Sequence, residues 1–147
     1  MLVRDLVRKK GSHVVMVFHG TDVGTAVRLL LEHGIGGLPV VSADGSPLGF
    51  VAEREVAEAV DAHGGDVREL PVDRVMQRPA PTCSLDDSLQ HVMVRMTRER
   101  LRHLVVLEGS RIAGILSVGD LLKERLEEFE TEAGVLRDYV AAQRAAR

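Results

Sequence analysis

Gly114-Ile115-Leu116-Ser117-Val118-Gly119-Asp120 joins an apolar strand to a helix and sets a hydroxyl and a carboxylate at the joint. The strand reads from Arg111 to Leu116, and Leu121, Leu122 and Leu126 follow at helical spacing. Ser117 is placed to cap that helix, with Asp120 three residues on. In the simpler reading the two form a capping box: the hydroxyl accepts from one orphan N–H, and the carboxylate accepts from the N–H of the cap. In the other reading the joint holds a ligand. Free N–H groups and the positive end of the helix dipole attract phosphate. Val118-Gly119 allows close approach to the backbone, and an Asp one turn in can accept from both hydroxyls of a ribose.

Working outward, the same order of elements precedes this joint twice. Val23, Ala26, Leu30, Ile35, Leu38, Val40 and Val41 align with Leu89, Val92, Met96, Leu101, Leu104, Val106 and Leu107 at a constant separation. The turn of the second copy is one residue shorter, after which Gly49, Phe50, Val51, Ala52 and Glu55 fall on Gly114, Ile115, Leu116, Ser117 and Asp120. Register held through helix, strand, turn and strand marks a duplication. The first copy reads as strand Val14–Phe18 after Gly11-Ser12, a helix capped by Thr21 or Asp22 and stopped at Gly34, strand Gly36–Val41, a hairpin at Ala43–Ser46, strand Leu48–Val51 and a helix from Glu53 to about Ala62. Leu2–Arg8 reads as one helical turn ahead of it. Each copy alone is too small to bury both faces of its sheet. The two sheets should therefore pack face to face about a pseudo-two-fold axis, leaving two related clefts where small ligands bind.

The composition bounds what such a body does. The chain has 147 residues, 45% of them apolar and only 3% aromatic, so its core is built from Val, Leu, Ile, Ala and Met. A net charge of -3 and a pI near 6.1 argue against broad nucleic-acid contact. Cys83 is the only cysteine, which excludes an intrachain disulfide and a four-cysteine zinc site. The six histidines are scattered and make no metal-ligand spacing, and neither a Walker loop nor a nucleophile elbow is present. The amino-terminal stretch lacks the apolar run of a secretory signal and no segment is apolar enough to span a bilayer, so a cytoplasmic, non-enzymatic protein is expected.

The Gly-h-h-Ser-x-x-Asp pattern after a two-strand unit, preceded by Arg102-His103-Leu104-Val105-Val106, resembles the cystathionine-beta-synthase (CBS) domain. From about Leu2 to Leu126 the chain resembles two of them in tandem, a Bateman module. The resemblance implies an α+β fold of tandem βαββα repeats, at 1–65 and 66–126, with a helical extension at 127–147. It also implies an adenosine-type regulatory ligand in the clefts, such as AMP, ADP, ATP, NAD or S-adenosylmethionine, with no required cofactor. On the family pattern Ser117 contacts phosphate or ribose oxygens and Asp120 the ribose hydroxyls. The backbone of Pro81-Thr82-Cys83 reads the adenine edge, Leu101 adds an apolar contact, and Arg102 with His103 directs cations at phosphate. The dull alternative makes Thr82 and Cys83 plain strand residues and Arg102-His103 a solvated strand end. In the first copy Ala52 replaces the hydroxyl and Glu55 the Asp, and Gly36-Gly37 carries no cation. A cleft using Gly37, Leu38 and Glu55 is therefore expected to be the weaker one.

Past Leu122 the apolar residues Leu126, Phe129, Ala133, Leu136 and Val140 alternate steps of three and four. That spacing is the seam of a coiled coil or of a helix folded back along a groove. Modules of this kind pair into disc-shaped dimers, so a homodimer or a docked protein partner is expected. A ligand-free dimeric scaffold is the competing function.

Overall fold

A computed structural model describes residues 1–11 and 13–146, so Ser12 and Arg147 lie outside the described residues. Helix α1 (Val3–Lys10) precedes the first repeat, which runs β1 (Val17–Phe18), α2 (Val23–His33), β2 (Gly37–Val41), β3 (Pro47–Ala52) and α3 (Glu53–His63). Two short 3-10 turns, Gly64–Glu69 and Val72–Arg74, lead to the second repeat: β4 (Thr82–Ser84), α4 (Leu89–Glu99), β5 (His103–Glu108), β6 (Arg111–Ser117) and α5 (Val118–Ala145).

Each repeat builds one three-stranded sheet in the order first, second, third strand, with the first pair parallel and the second antiparallel. The alignment read from sequence is the alignment of the ladders. Gly37 pairs with Ala52 and His103 with Ser117; Leu38 pairs with Val51 and Leu104 with Leu116. Both hairpins shift register at the same place, between Val40 and Val41 in the first repeat and between Val106 and Leu107 in the second. Asp22 caps α2 through the Thr25 N–H at 2.7 Å, and Gly34 ends it in the left-handed conformation that a residue without Cβ adopts freely.

The first strand is shorter than the Val14–Phe18 read from sequence, since only Val17 and Phe18 pair with β2. One residue earlier the ladder meets Pro39, which has no N–H to give. In the second repeat that place is Val105, whose N–H donates to Pro81 O at 2.8 Å, and β4 is one residue longer.

The cores do not follow the chain-order division at residue 65. Two turns of α1, where one was expected, insert Val3, Leu6 and Val7 into the core of the second repeat with Leu89, Val92 and Leu116. Its backbone is tied there by Val3 N–H to Asp87 O (2.9 Å) and Arg4 N–H to Leu85 O (3.0 Å). Conversely Val67, Val72 and Met76, placed in the second unit by sequence order, pack into the core of the first with Val23, Leu38 and Val51. Each core is thus completed by the segment that precedes the other repeat's first strand. Two aligned glycines make room for this. A Cβ on Gly49 would lie 2.5 Å from Met76 Sδ, and one on Gly114 would lie 3.3 Å from Val7. Phe50, Ala80 and Val105, flanked by Leu107, Ile112 and Ile115, join the two sheets through a third apolar cluster.

The expected extension at 127–147 is, as far as residue 145, not a separate element. It continues α5, a single helix of 28 residues that starts at the Ser117 cap. Beyond Glu128 the helix leaves the body, and the fold-back reading fails because its apolar seam is exposed.

Candidate functional site

Ser117 and Asp120 make the capping box read from sequence. The Ser117 hydroxyl accepts from Asp120 N–H at 3.1 Å, and the Asp120 carboxylate accepts from Ser117 N–H at 2.8 Å. The same carboxylate oxygen also accepts from Lys10 Nζ at 2.7 Å, and Lys10 donates further to Ile115 O at 2.7 Å. Next to it Lys9 reaches Glu124 at 2.9 Å, which is buried, and Glu127. Burial alone pulls the Asp120 carboxyl upward. The hydrogen bonds from Lys10 and Ser117 and the Lys10 charge outweigh it and hold the group below the usual carboxylate range. This joint therefore carries the full motif, yet Lys10 of α1 occupies its carboxylate. The cavity left between α1 and α5 is about 210 Å³, smaller than the roughly 300 Å³ at which ligand pockets begin.

The wide cleft lies at the other joint. It measures about 850 Å³ and is bounded by Ala52–Glu55 at the start of α3, by Val75, Met76, Gln77 and Pro81, and by Glu99–His103 of the second repeat. The two joints are tied alike, Glu53 N–H donating to Gly36 O at 3.1 Å and Val118 N–H to Arg102 O at 3.0 Å. Ala52, however, has no side chain to accept from the first turn of α3. Glu55 accepts from Ala52 N–H at 3.2 Å, so only half of the capping box survives.

Leu101, Arg102 and His103 consequently do not share a cavity with Ser117 and Asp120, as the sequence reading had them. They line the wide cleft with Glu55, the residue assigned to the weaker site. The repeats exchange their contributions, since the start of the second strand in one repeat faces the helix start of the other. Thr82 and Cys83 line neither cleft. They pair with Val105 and Val106 across the parallel ladder, Thr82 O accepts from Arg95, and the Cys83 side chain is buried in the second core. Burial, aided by Asp87, pushes the Cys83 thiol up to about 11, which leaves it inert as a nucleophile. Leu38 is fully buried in the first core and does not line the wide cleft.

Gly37 is structural: a Cβ there would collide with the Phe50 ring. Against that ring packs His103, with centroids 5.1 Å apart, and a Cβ on Gly36 would touch the imidazole at 3.4 Å. The missing cation of the first copy is thus the space into which the second copy's histidine fits. Burial first, and the Lys10 charge second, lower the His103 pKa below its ordinary value, so the ring is neutral at pH 7.

Sequence reasoning missed Arg100. It ends α4 at φ 55°, in the left-handed conformation that the aligned Gly34 adopts in the first repeat, and it lines the wide cleft. The signal was present as an arginine standing where its counterpart is a helix-ending glycine. A side chain kept at such a position costs about 1 kcal/mol, and strain of this kind collects at functional sites. Among the described residues neither Arg100 nor Arg102 takes part in an ion pair.

Two α/β repeats that exchange segments and enclose clefts at the starts of their last helices define a tandem-repeat module with inter-repeat sites. The sequence matches the CBS domain family at residues 3–62 and 67–127, and the chain belongs to that family. Its fold is that of a CBS-domain protein ATU1752 from Agrobacterium tumefaciens, at 35% identity and a TM-score of 0.79 over 84% of this chain and 98% of that one. The CBS domain pair of protein MJ0100, solved in complex with 5′-methylthioadenosine and S-adenosyl-L-methionine, shares the fold at 20% identity and a TM-score of 0.78 over 87% of this chain and 98% of that one. An uncharacterized protein of Methanopyrus kandleri is 25% identical over 130 residues, 79% of this chain. The chain spans 66% of that relative's length and 34% of the next. Among the described residues no helix is long and apolar enough to cross a membrane.

Proposed function

We propose that the chain is a non-enzymatic regulatory module that takes an adenosine-type ligand, of the class AMP, ADP, ATP, NAD or S-adenosylmethionine, in the wide cleft between its repeats. One observation carries the reading: a space of about 850 Å³ opposes the uncapped start of α3 to Arg100 and Arg102 of the other repeat. A phosphate there meets helix N–H donors on one side and guanidinium groups on the other. Glu55, released from the Ala52 N–H, accepts from ribose hydroxyls, and Phe50, Met76 and Pro81 supply an apolar wall for the base. The adenosine derivatives held by MJ0100 support the ligand class, and the buried thiol of Cys83 supports a role without nucleophilic chemistry. Ser117 and Asp120 belong to a second site, reached when Lys10 withdraws. A ligand that bridges two repeats favours one placement of them over another, and that differential affinity is the signal.

Thermal unfolding with each of the five ligands tests this. A ligand at a hundred times its dissociation constant should add about 2.7 kcal/mol. The shift should vanish in the Arg100→Ala/Arg102→Ala double variant and persist in Asp120→Asn. No shift with any of them would reject the sensor and leave the ligand-free scaffold. A shift lost only with Asp120→Asn would move the ligand to the other joint.

A further inference from the structure

Leu122, Leu126, Phe129, Leu136 and Val140 of α5 are each between 40% and 63% exposed, a continuous apolar seam that no other element among the described residues covers; only Arg125 of the same helix lies over it, 4.8 Å from the centroid of the Phe129 ring. With Ala133 they occupy alternate steps of four and three, the period that keeps one stripe facing a partner helix. In that frame Leu126, Ala133 and Val140 are a positions and Leu122, Phe129 and Leu136 are d positions. The flanking e positions are then Lys123, Glu130, Arg137 and Arg144, and the g positions Arg125, Glu132 and Tyr139.

The charges select the partner. When two copies lie parallel and in register, each g residue meets the e residue five positions on in the other copy. Arg125 then faces Glu130, and Glu132 faces Arg137, each twice by symmetry, with no like-charge pair. An antiparallel overlap of the whole seam, with e facing e, matches Glu130 to Arg137 but sets Lys123 against Arg144 as often. It also puts Leu126 opposite the polar Gln143. We infer that α5 is a parallel, in-register coiled coil with a second copy of this chain, joining two CBS pairs at the same end. Gly134 falls at an outward b position, where it weakens the helix without interrupting the seam.

Sedimentation velocity of the full chain tests this together with four variants in and beside the seam whose altered side chains are solvent-exposed in the monomer. The wild type should be a dimer, Phe129→Glu a monomer, and both should melt the body alike. Glu132→Arg should raise the dimer dissociation constant about ten-fold, and adding Arg137→Glu should restore it. Ala133→Cys should give a disulfide-linked dimer on mild oxidation, since parallel register places the two thiols opposite each other. A monomeric wild type would overturn the inference. So would a dimer indifferent to Phe129→Glu, which would place the contact on the bodies. Failure of Ala133→Cys to cross-link a stable dimer would overturn the parallel register.

Discussion

The two joints, Ala52–Glu55 at the start of α3 and Ser117–Asp120 at the start of α5, descend from one pattern and end in opposite states. The second keeps every residue of the motif and is closed, because its hydroxyl and carboxylate satisfy each other and Lys10 adds a third partner. The first has lost its hydroxyl and is open, with about 850 Å³ beside it. Motif completeness and accessibility are separate quantities. A capping residue that satisfies the helix end also removes the donors a ligand would use, and a basic side chain within reach of a free carboxylate will take it.

Several substitutions break or sharpen this contrast. The largest effect is expected at Gly37, where a Cβ would collide with Phe50. Gly37→Ala should lower stability by roughly 1–3 kcal/mol in denaturant unfolding, the usual cost of overpacking. Shortening the aligned histidine by His103→Ala should cost less. Equal losses would mean that the two strand starts are equivalent after all.

Arg100→Gly should raise stability by about 1 kcal/mol by relieving the left-handed arginine, while weakening the ligand in the wide cleft by calorimetry. A variant that is stabilised and binds as before would remove Arg100 from the site. Lys10→Ala comes next, since its pair with Asp120 is partly exposed and worth at most about 1 kcal/mol. Its sharper reading is stoichiometry. The wild type should bind one ligand per chain and the variant two, and unchanged stoichiometry would show that something other than Lys10 closes that cleft.

The smallest effect is a pH dependence. The folded protein holds His103 neutral to a lower pH than the unfolded chain does, so only the unfolded state gains a proton as pH falls below about 6.5. Stability is therefore complete above that pH and declines as pH falls toward the lowered pKa, against Lys10 and Arg102 on one side and Asp120 and Glu53 on the other. His103→Gln should flatten the melting temperature between pH 7 and about 5.5. A profile unchanged by that substitution would assign the slope to other groups.

Local pattern was enough for the repeated unit and its internal register, because pairs such as Leu38 with Val51 and Leu104 with Leu116 are set by alternation and by hairpin turns a few residues long. A cap at Thr21 or Asp22, which the structure resolves to Asp22, the Gly34 stop and the Ser117–Asp120 box were legible for the same reason, as each is decided within one turn of helix. The shortening of β1 was also written in the chain, in the missing N–H of Pro39, but its effect falls on residues far away in sequence.

Tertiary structure alone decided which residues meet. Glu55 faces Arg102, Lys10 covers Asp120, α1 packs on the far repeat and Met76 on the near one, all through contacts between segments whose own periodicity says nothing about their partners. Each repeat's own helices leave its core incomplete, and filling it selects whichever apolar segment geometry brings there. The sequence by itself determined two copies of one unit and a helix with an unspent apolar stripe. Packing determined that the copies trade segments, and so which of two similar joints lies open.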